Sequence, residues 1–135
     1  MTIAVAQNDS PEGYAALLHA AREALFQQKP LAVLHVVGSE LSGSEPEQMR
    51  ARIEQSLDAA GFEGLEWTLH VAPDEEGRAA ALVTLTEQVV ADLLVVGSRP
   101  RTPIGKFLLG STVQRVVLDS PVPVLVVKAR RPDGP

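Results

Sequence analysis

Cysteine is absent from the chain. That excludes thiol nucleophiles, Cys-ligated zinc and disulfide frameworks, and it suits a reducing compartment. Aromatic residues are scarce, 4% against 45% hydrophobic overall, so the apolar content is aliphatic. An aromatic platform for stacking RNA bases is excluded, and the bias is that of buried strands and covering helices. Positive charge is in deficit too: 12 basic residues face 17 acidic ones, for a net charge of −5. Such an exterior repels DNA and anionic membrane surfaces, so neither nucleic acid nor membrane is expected as a partner. No apolar run approaches the ~18 residues of a membrane span. The chain opens directly on Ile3, Ala4 and Val5, without a basic segment followed by a long apolar stretch, and the cytoplasm is the expected location.

What is present is an alternation. Short aliphatic runs at residues 3–6, 31–37, 65–71, 93–96 and 124–127 read as strands. Four helical stretches lie between them. The first begins after Asp9, with Ser10 as N-cap and Pro11 where a missing amide proton costs nothing; Tyr14, Leu17, Leu18, Ala21 and Leu25 give it one apolar face. The second spans about 46–60 and stops at Gly61, a left-handed C-cap; the third spans about 75–90, with Asp74, Glu75 and Glu76 at its dipole-favoured start; the fourth begins at Ser111. Strands of near-continuous aliphatic character are buried on both faces, which predicts a single doubly wound α/β domain with a mainly parallel five-stranded sheet and four helices. The domain is expected over residues 1–128, with a flexible loop at 38–46 and a flexible tail at 129–135.

The connection from Ser98 to Gly110 is about twice the two to six residues usual between strand and helix, and long loops in compact domains are often functional. It carries Arg99, Arg101 and Lys106, with Arg115 just beyond, and no acidic residue lies between Asp92 and Asp119. Gly110 precedes Ser111 and Thr112 at a helix start, where free amides, the dipole and a hydroxyl suit a phosphate. Ser111 with Gln114 is equally the pattern of a capping box, and Gly110 equally serves a tight turn, so these residues alone leave both readings open. If the strand order reverses between the first and fourth strands, Gln7, Asn8 and Asp9 share one crevice with that loop.

The segment VVGSRPRTPIGKFLLGSTVQRVV resembles the universal stress protein family, whose pattern here is Gly, two residues, Gly, nine residues, Gly, then Ser or Thr. Gly97, Gly110 and Ser111 stand at that spacing, and DSPVPVLVVK, IAVAQNDSPEG and LAVLHVV extend the likeness over nearly the whole chain. The resemblance implies the Rossmann-like, adenine-nucleotide alpha-hydrolase-like fold. In nucleotide-binding members an Asp at the first strand engages the nucleoside, backbone of the second strand after a His lies near the base, and the glycine-rich loop with its Ser holds ribose and phosphates. Carried over, these positions are Asn8, Val36, Val96, Gly97, Arg99, Gly110, Ser111 and Thr112. Two departures stand out. Pro100 replaces the second loop glycine and has no amide to donate, a loss of about 1–3 kcal/mol if nothing replaces the contact. Asn8 replaces the Asp, keeping an acceptor oxygen but losing its charge.

The resemblance therefore implies a stress-response module that binds ATP or a related nucleotide weakly, with Mg²⁺ accompanying the nucleotide, and that forms a homodimer through its last strand, an aliphatic edge open to pairing. The alternative is a nucleotide-independent dimeric interaction or regulatory module whose phosphate loop is altered by Pro100. No catalytic residue is assigned, and slow ATP hydrolysis is the most activity expected. His19, His35 and His70 lack ligand spacing, the acids at 74–76 are explained by the helix dipole, and no metal site is assigned. Trp67, the only tryptophan, is expected to pack half-buried in its strand.

Overall fold

A computed structural model describes residues 1–38, 45–99 and 109–129. Among these, β1 (Thr2–Ala6), α1 (Pro11–Gln27), β2 (Leu31–Val37), α2 (Glu45–Ala59), β3 (Trp67–Pro73), α3 (Arg78–Gln88), β4 (Ala91–Ser98), α4 (Ser111–Asp119) and β5 (Val124–Lys128) follow in strict alternation. The five strands form one sheet in the order β3-β2-β1-β4-β5. Every pairing is parallel. This is the doubly wound α/β fold expected from the aliphatic runs. Pro100, Arg101, Lys106, most of the loop at 38–46 and residues 130–135 lie outside the described residues.

The period of two along each strand sorts its side chains into two cores. Ile3, Val5, Leu31, Val33 and Val95 pack with Leu17, Ala20, Ala21 and Ala24 of α1 and Met49, Ile53 and Leu57 of α2. The alternate residues Ala4, Ala32, Leu34, Val36, Leu94 and Val96 face Leu82 and Leu85 of α3 and Val116 of α4. Register carries one layer straight across the sheet, pairing Leu69 with Val33, Val33 with Val5, and Val5 with Val95. All seven residues of β2 are buried, which is why its sequence shows no polar alternation.

Of the boundaries that differ from the sequence reading, two have a plain backbone cause. β3 begins at Trp67 and not at 65, because Gly64 sits at φ 87° and Leu65 donates to the Phe62 carbonyl at 3.1 Å, closing a turn. α3 begins at Arg78 and not at 75: Gly77, at φ 102°, breaks the chain direction, so Asp74, Glu75 and Glu76 precede the helix instead of forming its first turn. Trp67 is half-buried, with the Arg50 guanidinium 5.9 Å from its ring centre. At the other end of the chain, Ala129 is buried and donates to the Ser98 carbonyl at 2.7 Å.

Candidate functional site

The chain leaves β1 through α1 toward β2 on one side, while β4 lies on the other, so the strand order reverses at the carboxyl ends of β1 and β4. Loops diverge there and leave a crevice, the usual ligand position in open α/β sheets. Its volume is about 250 Å³. Ala6, Gln7 and Asn8 form its floor, Val36 and Val96 its apolar walls, Glu12 and Gly13 of the first turn of α1 one side, and Arg78, Leu82, Thr112, Val113 and Val116 the other. Gly97 completes it at the end of β4.

Two glycines let the parts approach. A methyl group on Gly97 would overlap the Glu12 carbonyl, and one on Gly13 would overlap Asn8. The Gly97 contact is with backbone and the Gly13 contact with both the side chain and the backbone of Asn8, so a side-chain rotation cannot relieve either. α1 is fixed over the crevice by its cap: Ser10 Oγ accepts from the Gly13 amide at 3.0 Å, with Pro11 at the first helical position. The same hydroxyl donates to Asn8 Oδ1. Asn8 is thus oriented by the helix start beside it.

Buried polar groups gather at this end of the sheet. Gln7, 3% exposed, donates from Nε2 to the Asn8 carbonyl at 2.9 Å, and His35 donates from Nδ1 to the Gln7 carbonyl at 3.2 Å. Gln7 Oε1, Glu12 Oε1 and Ser98 Oγ are buried without a hydrogen-bond partner among the described residues. The other Glu12 oxygen lies 3.4 Å from Arg99 Nε. Among the described residues no group of three or more His, Asp or Glu side chains could hold a metal ion.

Of the positions singled out in the sequence, Asn8, Val36, Val96, Gly97 and Thr112 meet in this crevice. Arg99 lies at its edge through Glu12. Ser111 is exposed and faces a neighbouring groove between the starts of α3 and α4, with Thr112, Arg78 and Arg115. Thr112 lines both hollows and joins them. The capping-box reading of Ser111 is not what forms: the N-cap is Gly110, without a side-chain cap, and Gln114 Nε2 donates to the Leu109 carbonyl at 3.0 Å. Gly110 has φ −69°, which any residue adopts, so turn geometry does not require glycine there. Gln7 is expected at the crevice with Asn8 and Asp9 and lines it, whereas Asp9 is not among the lining residues; Glu12, Gly13 and Arg78 are not expected there. Glu12 carries no motif, and only the packing of the first turn of α1 against the end of β4 makes it a neighbour of the cavity.

The Universal stress protein family model matches residues 1–128. The chain belongs to the universal stress protein family. It is 33% identical over 133 residues to a universal stress protein of Mycolicibacterium smegmatis, covering 93% of this chain and 96% of that one. Among solved structures, a universal stress protein from Archaeoglobus fulgidus is 27% identical, with a TM-score of 0.76 over 95% of this chain and 98% of that one. A universal stress protein in complex with cAMP is 26% identical, with a TM-score of 0.71 over 96% of this chain and 97% of its own. The parallel five-stranded sheet with four helices is the fold of these universal stress proteins. No helix among the described residues is long and apolar enough to cross a membrane.

Proposed function

We propose that this chain is a nucleotide-responsive stress protein that binds an adenine nucleotide in the crevice at the reversal of strand order. The observation that carries the reading is the convergence of Asn8, Val36, Val96, Gly97 and Thr112, from four separate elements or their ends, on one hollow of about 250 Å³. That is a small-ligand volume, just below the ~300–1,000 Å³ typical of such sites. Val36 and Val96 offer apolar walls to a base. The start of α4 has uncapped amides and no acidic residue in its first turn, and Arg115 and Arg78 flank the groove beyond Thr112. Phosphates would lie there, favoured by the helix dipole and the two guanidinium groups. The cAMP complex of the related universal stress protein supports adenine as the base. ATP with Mg²⁺ is the proposed ligand, bound weakly, and the protein acts through a homodimer paired along the β5 edge.

One observation favours a second reading. Glu12 lines the crevice and pairs with Arg99, so a carboxylate already stands there. A nucleotide-independent dimeric interaction module would tolerate this without penalty.

Calorimetric titration with ATP and Mg²⁺ separates the two. Saturable binding that weakens in Ser111→Ala supports the nucleotide-responsive protein; no heat at millimolar ATP supports the interaction module.

A further inference from the structure

The deep crevice holds acceptors in want of donors. Gln7 and Glu12 both line the same hollow, and Gln7 Oε1 and Glu12 Oε1 are buried without a hydrogen-bond partner among the described residues. Gln7 as a whole is 3% exposed and the Glu12 side chain 13%. Buried acceptors are almost always satisfied in folded proteins, and an unsatisfied one is costly, so two in one cavity point to a ligand that donates.

Their placement separates two kinds of donor. The Gln7 backbone lies on the β2 side, its N–H donating to the Leu34 carbonyl at 2.9 Å and its C=O accepting from His35. Glu12 sits on the β4 side, its backbone against Gly97, and shares the hollow with Thr112 of the α4 start. A base entering between Val36 and Val96 brings an amino group toward Gln7. The sugar then lies between base and phosphates, beside Glu12. A carboxylate accepts two hydroxyl donors at once, and acidic residues bind ribose hydroxyls in this way in other nucleotide-binding α/β folds. Asn8 is less suited to that task, since it is uncharged and its Oδ1 already accepts from Ser10.

We infer that Glu12 is the specificity-determining residue of the crevice and reads the free 2′,3′-diol of a ribonucleoside, with Gln7 accepting from an exocyclic amine. The inference rests on the nucleotide-binding reading given above. It makes the deep crevice selective for a ribonucleoside over its deoxy counterpart and leaves phosphates to the groove beyond Thr112.

The test is titration of the wild-type protein and Glu12→Ala with adenosine and 2′,3′-dideoxyadenosine, followed by NMR, with thermal melting to verify folding. The wild-type protein should prefer adenosine by about tenfold or more, the range of a hydrogen bond to a charged group. In Glu12→Ala adenosine affinity should fall to that of the dideoxy compound, which itself should change little. Equal wild-type affinity for the two nucleosides overturns the inference, and does so even if the variant fails to fold. An adenosine preference that survives in Glu12→Ala overturns it too. In both cases nucleotide binding stands, whereas a wild-type protein that binds neither adenosine nor ATP removes the underlying reading as well.

Discussion

Gly97 lies so close to Glu12 that no β-carbon fits between them. Added there, it would overlap the Glu12 carbonyl and stand 3.1 Å from the Glu12 Cβ. The end of β4 and the first turn of α1 are thereby held at backbone contact, which sets the width of the crevice and lets the Glu12 carboxylate border it. In Gly97→Ala the strand and helix must separate. Overpacking of this kind costs about 1–3 kcal/mol. Urea denaturation should show that loss, and binding in the crevice should weaken in the same variant. Wild-type stability in Gly97→Ala would mean that the contact is not tight.

Tyr14 and Asp9 provide a titration that reports on the same corner. The Tyr14 hydroxyl donates to Asp9 Oδ1 at 3.2 Å, and Arg52 Nη1 reaches Asp9 Oδ2 at 3.0 Å. Burial, then the charge and hydrogen bond of Asp9, hold the phenol above its usual 10.0, with Arg52 acting in the opposite direction. A raised pKa favours the protonated form in the folded state. Its contribution to stability is therefore fully present below pH 10.0 and is lost as pH rises through the folded midpoint. Tyr14 is the only tyrosine, so an ultraviolet titration of tyrosinate reads it alone. The midpoint should exceed 10.0 and should fall part of the way back in Asp9→Asn, burial remaining. A wild-type midpoint at or below the free value contradicts the arrangement.

Much of this architecture is legible in the residues, because strands buried on both faces leave aliphatic runs and helices between them leave caps. Ser10 and Pro11 announce α1, and Gly61 does stand at the left-handed end of α2, where the Phe62 amide donates to the Leu57 carbonyl at 2.9 Å. The reversal of strand order at β1 and β4, inferred from polar loop ends, is also present. What the residues did not reveal depends on tertiary approach. Gln7 is expected at the crevice but its burial is not legible, and Glu12 carries no motif; its place beside the hollow follows from its backbone contact with Gly97, which no local pattern records. The acids at 74–76 misled the start of α3 because dipole preference is a weaker signal than the positive φ at Gly77.

Ser10 serves two partners, accepting from the Gly13 amide at 3.0 Å and donating to Asn8 Oδ1. Ser10→Ala removes the cap and unties Asn8 together. Losing an N-cap of this kind costs about 1 kcal/mol. The denaturation midpoint should fall accordingly, and Ser10→Asp, which restores an acceptor at the cap, should recover most of it. A Ser10→Ala variant as stable as the wild type would show that the amide is satisfied by water.

Two helices end on residues poorly suited to their backbone. α1 closes with the Lys29 amide donating to the Ala24 carbonyl at 2.9 Å and the Gln28 amide to Leu25 at 3.2 Å, a Schellman motif with Gln28 at φ 57° where α2 has Gly61. After α3 the β-branched Val90 takes φ 53° while 61% exposed. The left-handed region costs an L-residue about 1–2 kcal/mol, and glycine avoids that cost while giving up about 0.5–1 kcal/mol of chain entropy. Gln28→Gly should therefore stabilise by about 0.5–1 kcal/mol. Val90→Gly should gain more, since branching at Cβ worsens the clash and the exposed side chain has little packing to lose. Thermal and urea midpoints of the two variants check this directly. A loss of stability in Val90→Gly would mean that the valine side chain contributes packing that outweighs its backbone strain.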